Sequence, residues 1–133
     1  AVVCNRMNMI AGGTGITPMW QVLSEILADP SDDTEVKLLF TNRNEEDILL
    51  REELDELAAK HSNLTVKYTL TGPCPEDWPH SQGRINEEMM RSFLFPPGEK
   101  TPCLMCGPDA LLDSVCKPNL LKMGFTEANF VVF

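Results

Sequence analysis

The sequence contains no cluster of basic residues, no apolar run of the roughly 18 residues that a membrane-spanning helix needs, and no start typical of a signal peptide. Its 11 basic residues are outnumbered by 20 acidic ones, which gives a formal net charge of -9. Nucleic acids and anionic membrane surfaces are bound through clustered Lys and Arg side chains. We therefore expect that this chain contacts neither nucleic acid nor membrane, and any targeting signal of a longer protein would lie outside it.

Patterns for metal binding and hydrolysis are also scarce. The two histidines, His61 and His80, have no paired spacing and are expected to be solvated surface residues. Cys103 and Cys106 would lie about 10 Å apart on opposite faces of a strand, which excludes a disulfide and does not suit a shared metal. The five cysteines are an odd, scattered set that favours reduced thiols and therefore a cytoplasmic protein: Cys4, Cys74, Cys103, Cys106 and Cys116. No metal site and no hydrolytic G-x-S-x-G motif is predicted.

Short apolar segments alternate with helical ones along the 133 residues. This order predicts one α/β domain with three layers, a parallel sheet of about five strands and helices on both of its faces. Because the chain begins at Ala1 without an initiator Met, we expect it to be part of a longer protein. The predicted strands cover residues 7–11, 36–40, 64–70, 102–106 and 130–133.

The predicted helices have recognisable ends. In the first, the Thr17 hydroxyl is expected to cap the helix and Pro18 to occupy its first position. The second covers the acidic segment 44–61, and the third runs from about Asn86 to residue 94. The last helix follows Pro108, and it is expected to break at Pro118 before a final piece that ends at Gly124.

The glycine-rich stretch "AGGTGITPMW" at residues 11–20 follows the first strand directly. Glycines let the backbone approach an anion, and the N-terminus of the next helix offers free N–H groups to it. The stretch is not the dinucleotide fingerprint, because Pro18 replaces its third glycine, and it lacks the Lys of a phosphate-binding Walker loop. The alternative is a tight turn without a ligand.

Four strand-to-helix turns are expected to converge on one crevice beyond the carboxyl ends of the strands. They cover residues 12–17, 41–47, 71–83 and 107–109. Asn42 and Arg43 follow the second strand, where a dinucleotide fold holds the adenosine ribose. The turn at 71–83 is long enough to favour a functional loop. Cys106 ends the fourth strand and is expected to face the crevice.

Five segments, in order and over nearly the whole chain, resemble the C-terminal nicotinamide-binding lobe of the NADH-cytochrome b5 reductase and eukaryotic nitrate reductase family. They are "MIAGGTGITPM", "EEDILLREELDEL", "LMCGPDAL", "PNLLKMGF" and the terminal Phe133. Asn42-Arg43, the unbroken "LLREEL" and the acidic balance favour nitrate reductase. A stand-alone cytochrome b5 reductase is the alternative, and a nucleotide-binding module that has lost turnover is a rival of another class.

The resemblance implies a ferredoxin-reductase-like fold and an FAD-binding barrel domain upstream in the same chain. NADH or NADPH would pass a hydride to that FAD, and electrons would continue to a b5-type haem domain or cytochrome b5. A full-length nitrate reductase would add the molybdenum cofactor and reduce nitrate. Thr14 would lie near the nicotinamide and the flavin, and Cys106 would orient the nicotinamide ring. The alternative for Cys106 is a buried small residue.

The resemblance also bears on the choice of cofactor. NADH-preferring relatives commonly carry an acid where this sequence has Thr71 and Gly72. Arg43 is able to pair with a 2′-phosphate, so NADPH is expected to be tolerated unless Glu76 or Asp77 reaches the ribose. Cys106 and Thr14 are the catalytic candidates. The binding candidates are Gly12, Gly13, Thr14, Gly15, Thr17, Pro18, Asn42, Arg43, Thr71, Gly72, Cys106, Gly107, Pro108, Asp109 and Phe133.

Overall fold

Six parallel strands form a single sheet at the centre of the computed structural model, which describes residues 5–98 and 100–133. The strand order is β4-β3-β2-β1-β5-β6. The strands are β1 Arg6–Gly12, β2 Glu35–Asn42, β3 Leu64–Leu70, β4 Ser81–Gln82, β5 Cys103–Cys106 and β6 Phe130–Val132. The prediction of about five strands missed the two-residue β4, which lies inside the long loop and is too short to leave an apolar pattern.

Helices cover both faces of the sheet, as predicted. They are α1 Ile16–Ala28, α2 Arg51–Lys60, α3 Glu87–Phe93, α4 Asp109–Leu111 and α5 Lys117–Met123. Alternate strand residues point to opposite faces, so Leu38 packs in the core that contains α1 and α2, whereas its neighbour Leu39 packs in the core that contains α3 and α5. Within the described residues, no helix is long and apolar enough to cross a membrane.

The first helix begins earlier than predicted, and its cap is different. A 3-10 turn at Gly13–Gly15 leads directly into α1, and the Ile16 N–H donates to the carbonyls of Gly13 and Thr14. Gly15 is the capping residue, with no side-chain hydrogen bond. The Thr17 hydroxyl therefore does not cap the N-terminus of α1, contrary to the prediction. Pro18 lies third in the helix instead of first, where its missing N–H still costs little because first-turn N–H groups have no partner within the helix.

The segment 44–61 is not one continuous helix. It contains a 3-10 turn at Glu45–Asp47, a left-handed residue at Leu50 with φ of 58°, and then α2. In a continuous helix, Ile48 and Leu54 would point about 120° apart around the axis. Because the helix is interrupted at Leu50, the side chains of Ile48 and Leu54 both pack in the core that contains α1 and α2.

The last helical segment passes through Pro118 without breaking, contrary to the prediction. Between α4 and α5, residues Leu112–Cys116 form a wider π-helical turn, in which the Lys117 N–H donates to the Leu112 carbonyl. Pro118 is the second residue of α5, directly after this wider turn, and such turns occur as single bulges within otherwise continuous helices. Gly124, with φ of 109°, ends α5 as predicted.

Candidate functional site

A crevice of about 1150 Å³ opens at the carboxyl ends of β1, β2, β3 and β5. All four predicted turns contribute to its walls, so the expected convergence is confirmed. Ten of the candidate residues line it: Gly12, Gly13, Thr14, Gly15, Asn42, Arg43, Thr71, Cys106, Gly107 and Pro108. The other five candidates, Thr17, Pro18, Gly72, Asp109 and Phe133, are not part of this lining.

The glycine turn is packed directly against the end of β5. A Cβ atom on Gly15 would lie 2.2 Å from the Cys106 carbonyl oxygen and 2.6 Å from its carbon. A Cβ atom on Gly12 would meet the Leu111 side chain at 2.9 Å. Because only glycine allows this approach, the turn and β5 together form one continuous floor of the crevice.

The crevice wall beside β1 has the form of an anion site. The N-terminus of α1 and the preceding 3-10 turn lie at the crevice, and N–H groups at such a position lack helical partners. Gly13 has φ of 56°, and a Cβ atom added to it would meet nothing within 4 Å, so its surface faces open space. This wall is therefore suited to the oxygen atoms of a phosphate.

The crevice wall beyond β2, β3 and β4 carries two cations. Arg43 follows β2 and Arg84 follows the long loop, and both line the crevice with Thr71. Sequence reasoning missed Arg84, although its position directly after a loop that borders the site was an available signal. Within the described residues neither guanidinium has a salt bridge to a carboxylate. Both are consequently available to an anionic ligand.

Gly72 packs against the backbone of Arg43. Its N–H donates to the Arg43 carbonyl over 2.8 Å, and a Cβ atom there would lie 2.7 Å from the same oxygen. Gly72 is thus a spacer that lets the loop pack against the turn carrying Arg43. The neighbouring acid Asp47 also lines the crevice, and it accepts a hydrogen bond from Asn44 over 3.2 Å.

The side chain of Asn42 indicates that the crevice suits a polar ligand. Its side chain is only 7% exposed, and in the described part of the chain its Nδ2 is the single buried side-chain nitrogen or oxygen without a hydrogen-bond partner. Such a group is costly to bury unless a partner is supplied. Since Asn42 lines the crevice, a ligand with acceptor oxygens fits this site.

The two cysteines of β5 have different surroundings, as predicted. Cys103 is buried in the core beneath α3 and α5, and burial raises the pKa of its thiol to about 12. Cys106 packs against the other core and lines the crevice. The cysteines at positions 74, 103, 106 and 116 are free, whereas Cys4 lies outside the described residues. Over residues 5–98 and 100–133, no group of three metal-ligating side chains is present.

The long loop at residues 71–83 is anchored to the body of the domain by aromatic rings. The His80 ring packs edge-on against Tyr68 at 5.0 Å and Trp78 at 4.9 Å between centroids. The Arg51 guanidinium lies over both of these partner rings, and the Tyr68 hydroxyl donates to Asp55 over 2.6 Å. The expectation that His80 is a solvated surface residue was therefore wrong, because the loop folds back over β3.

This anchoring predicts a pH-dependent stability. Burial, followed by the positive charge of Arg51, lowers the pKa of His80 from its ordinary value of 6.5, while Asp55 opposes the shift. The unfolded chain then binds a proton more readily than the folded chain, so the free energy of unfolding falls as the pH drops below 6.5. We expect His80→Gln to flatten this slope between pH 6.5 and 5 in urea titrations. His61→Gln is the matched control, and equal slopes in the two variants would contradict the assignment.

The chain is similar in sequence to known NAD-binding oxidoreductase domains. The oxidoreductase NAD-binding domain family matches residues 9–117. NADH-cytochrome b5 reductase 3 from Rattus norvegicus is 48% identical over 127 residues, which is 96% of this chain and 42% of that protein. The chain thus spans less than half the length of the curated relatives that it matches.

Solved structures support the same relationship. The cytochrome b5 reductase domain of Ulva prolifera nitrate reductase is 45% identical with a TM-score of 0.94, and the match covers all of this chain and 51% of that one. The CS-b5R domains of human Ncb5or, in an NAD+ form, are 30% identical with a TM-score of 0.87, covering 98% of this chain and 37% of that one. The expected fold class is confirmed.

Proposed function

The chain belongs to the NADH-cytochrome b5 reductase and nitrate reductase family of NAD-binding oxidoreductase domains, and we propose that it binds NADH or NADPH and presents the nicotinamide to an FAD in a neighbouring domain. The observation that carries this proposal is the close contact of Gly15 with Cys106. It joins the anion-binding turn to β5 in one crevice. A nucleotide is held there at both ends.

Residues of the chain divide the binding between them. Free N–H groups of the glycine turn would bind the pyrophosphate, while Arg43 and Arg84 would bind the ribose and its phosphate. The unpartnered Asn42 amide would donate to a ligand oxygen. When bound, the cofactor supplies a hydride to the flavin. Thr17, Pro18 and Asp109 lie in the first turns of α1 and α4, next to residues that line the crevice, and the binding roles expected for them stay predictions.

Thr14 and Cys106 would act at the nicotinamide end of the crevice. Cys106 ends β5, and its carbonyl is held by the Gly15 contact. A side chain on such a rigid support positions a ring more accurately than one on a free loop. Thr14 is exposed in the 3-10 turn before α1. We therefore assign both residues to ring orientation, with no covalent role for the thiol.

The exposed apolar residues at the end of the chain would pack against the FAD domain. The exposed side chains of Val131, Val132 and Phe133 follow the outer edge of the sheet. Phe133 is 53% exposed, and its N–H donates to the Met105 carbonyl, next to Cys106. Neighbouring exposed apolar side chains mark interaction surfaces. This position supports the proposal that Phe133 packs at the interface with the FAD domain.

The parent protein would be a cytochrome b5 reductase or a nitrate reductase. The identities of 48% to the first and 45% to the second are nearly equal. In either case, electrons would leave the flavin for a b5-type haem, in a fused domain or in cytochrome b5. A nitrate reductase would also need the molybdenum cofactor in a further domain. A His-Pro-Gly-Gly haem-binding signature upstream of the flavin domain would identify the fused form.

Joining the chain to its upstream FAD domain tests the enzymatic proposal. We expect NAD(P)H-dependent reduction of ferricyanide, and we expect Cys106→Ser to lower the rate of flavin reduction about tenfold while nucleotide affinity changes less than twofold, because ring orientation affects the reaction more than binding. Cys74→Ser, at a free cysteine outside the crevice, is the matched control. A protein that binds nucleotide but shows no NAD(P)H-dependent rate would be a non-catalytic module.

A further inference from the structure

Arg84 follows a glycine with unusual conformational freedom. Gly83 has φ of 95°, which residues with a side chain rarely adopt, and a Cβ atom added to it would meet nothing within 4 Å. Neither backbone preference nor side-chain packing therefore limits rotation at this residue. Unless another contact fixes the peptide group that joins Gly83 to Arg84, the guanidinium would have no defined position at the crevice.

The peptide group between Gly83 and Arg84 is fixed by Thr69. This residue of β3 is fully buried, and its hydroxyl donates to the Gly83 carbonyl oxygen over 2.6 Å. The Gly83 N–H donates to the Leu70 carbonyl over 2.7 Å. On the other side of Arg84, Ile85 is buried in the core that contains α3 and α5. The backbone of Arg84 is thus held on both sides, while Arg84 itself is exposed at the crevice.

The strand before Arg84 gives little support of its own. At the edge of the sheet, β4 has two residues, which pair in register with Thr69 and Leu70. The Trp78 Nε1–H donates to the Ser81 carbonyl over 2.9 Å and ties the start of β4 to the long loop. The bond from the Thr69 hydroxyl lies at the other end of β4, next to Arg84. It is therefore the side-chain contact that controls the backbone of Arg84 most directly.

The sheet does not need a hydroxyl at position 69. The neighbours Tyr68 and Leu70 pack in the core that contains α1 and α2, so Thr69 points to the opposite face of β3. A buried hydroxyl is costly unless it has a hydrogen-bond partner, whereas a valine would have nearly the same shape and no polar atom. Because the acceptor of this hydroxyl is the Gly83 carbonyl, the polar side chain stabilises the turn that carries Arg84.

We propose that Thr69 is a positioning residue, whose hydroxyl fixes the peptide between Gly83 and Arg84 and so directs the Arg84 guanidinium at the 2′-phosphate of NADPH. This inference rests on the proposed nucleotide binding. Thr69 lies outside the crevice lining and acts through Arg84, which has no salt bridge within the described residues. Without the hydroxyl, the carbonyl of the exposed Gly83 would turn towards water, and Arg84 would spread over several orientations.

Isothermal titration of Thr69→Val with NADPH and NADH tests this role. We expect NADPH binding to weaken about fivefold, the factor that corresponds to one ordinary hydrogen bond. NADH lacks the 2′-phosphate, so its binding should change less than twofold. Thr69→Ser keeps the hydroxyl and should keep the NADPH affinity, although the lost methyl group lowers the stability of the chain.

Thr34→Val is the matched control. Thr34 is also buried, and its hydroxyl donates to Asp32 over 2.6 Å. It precedes β2 and so lies at the amino end of the sheet, away from the crevice. Both nucleotide affinities should be the same in this variant as in the unchanged chain. Equal losses of NADPH affinity in Thr34→Val and Thr69→Val would overturn the inference, because affinity would then follow stability alone.

A double-variant cycle separates positioning from a general loss of structure. Arg84→Gln removes the guanidinium, so adding Thr69→Val to it should cause no further loss of NADPH affinity. An additive loss would overturn the role of Thr69. Amide hydrogen exchange of the free chain is a measurement without nucleotide: exchange at Gly83 should become about fivefold faster in Thr69→Val and stay unchanged in Thr34→Val.

The outcomes distinguish this inference from the proposed function. If the unchanged chain binds neither nucleotide, the proposed function is overturned together with the role of Thr69. If it binds NADPH and Thr69→Val leaves the ratio of NADPH to NADH affinity unchanged, only the role of Thr69 is overturned. Unchanged exchange at Gly83 in Thr69→Val would also overturn that role, because the hydroxyl would then not fix the peptide.

Discussion

Thr71→Asp is expected to weaken NADPH binding roughly 100-fold and to leave NADH binding unchanged or stronger. Thr71 is exposed on the crevice wall that also carries Arg43 and Arg84. In the proposed binding mode, a carboxylate there would face the 2′-phosphate. Opposed like charges cost several kcal/mol, and a 100-fold loss of affinity corresponds to about 2.7 kcal/mol. With a 2′-hydroxyl instead of a phosphate, the same carboxylate accepts a hydrogen bond.

Isothermal titration with both nucleotides measures the effect. Arg84→Gln is expected to weaken NADPH binding about tenfold or more, because it removes a charge-assisted hydrogen bond, and to affect NADH far less. Arg91→Gln is the matched control, since Arg91 forms its salt bridge with Glu87 outside the crevice. A clear preference of the unchanged chain for NADH would contradict the prediction and indicate that Glu76 or Asp77 reaches the ribose.

Gly15→Ala is expected to lower the free energy of unfolding by about 3 kcal/mol, at the upper end of what an added methyl group costs in a close-packed site. The new Cβ would lie 2.2 Å from the Cys106 carbonyl oxygen, and this neighbour is backbone, which cannot rotate away. The end of β5 must therefore separate from the glycine turn. Urea titration measures the loss, and nucleotide affinity should fall with it because the two walls of the crevice move apart.

Gly13→Ala, two residues earlier in the same turn, is the control. Its Cβ would meet no atom within 4 Å, but its φ of 56° is unfavourable for alanine. Left-handed backbone costs such a residue about 1 kcal/mol, so the expected loss is about one third of that for Gly15→Ala. Equal losses for the two variants would mean that the contact between Gly15 and Cys106 does not determine the stability of the turn.

The strands were the most predictable part of the fold. Strand β3 has the predicted bounds, and β1, β2 and β5 differ from prediction by one or two residues at either end. Buried parallel strands read as short apolar runs, because both of their faces are covered. The ends of helices were less predictable: Leu50 and Pro118 lie where side-chain packing, and not local preference, determines the backbone.

The candidate site was predictable in its outline. Parallel strands place their carboxyl ends at one edge of the sheet, so turns that follow strands had to meet there. Arg84 was missed because it follows no long strand. The unpartnered amide of Asn42 also had no sequence signal, since the lack of a partner depends on every neighbour that folding brings near it.

By itself, the sequence determined the α/β alternation, the glycine turn, the distribution of charge along the chain and the resemblance to a reductase family. These features depend on residue type and on spacing along the chain. Only the tertiary structure decided that Gly15 contacts Cys106, that His80 packs between Tyr68 and Trp78, and that the Thr69 hydroxyl donates to the Gly83 carbonyl. Apart from the contact between His80 and Trp78, which lie in one loop, each of these contacts joins residues from different strands or loops. Their distances are set by the packing of the whole sheet and its helices, which no local pattern encodes.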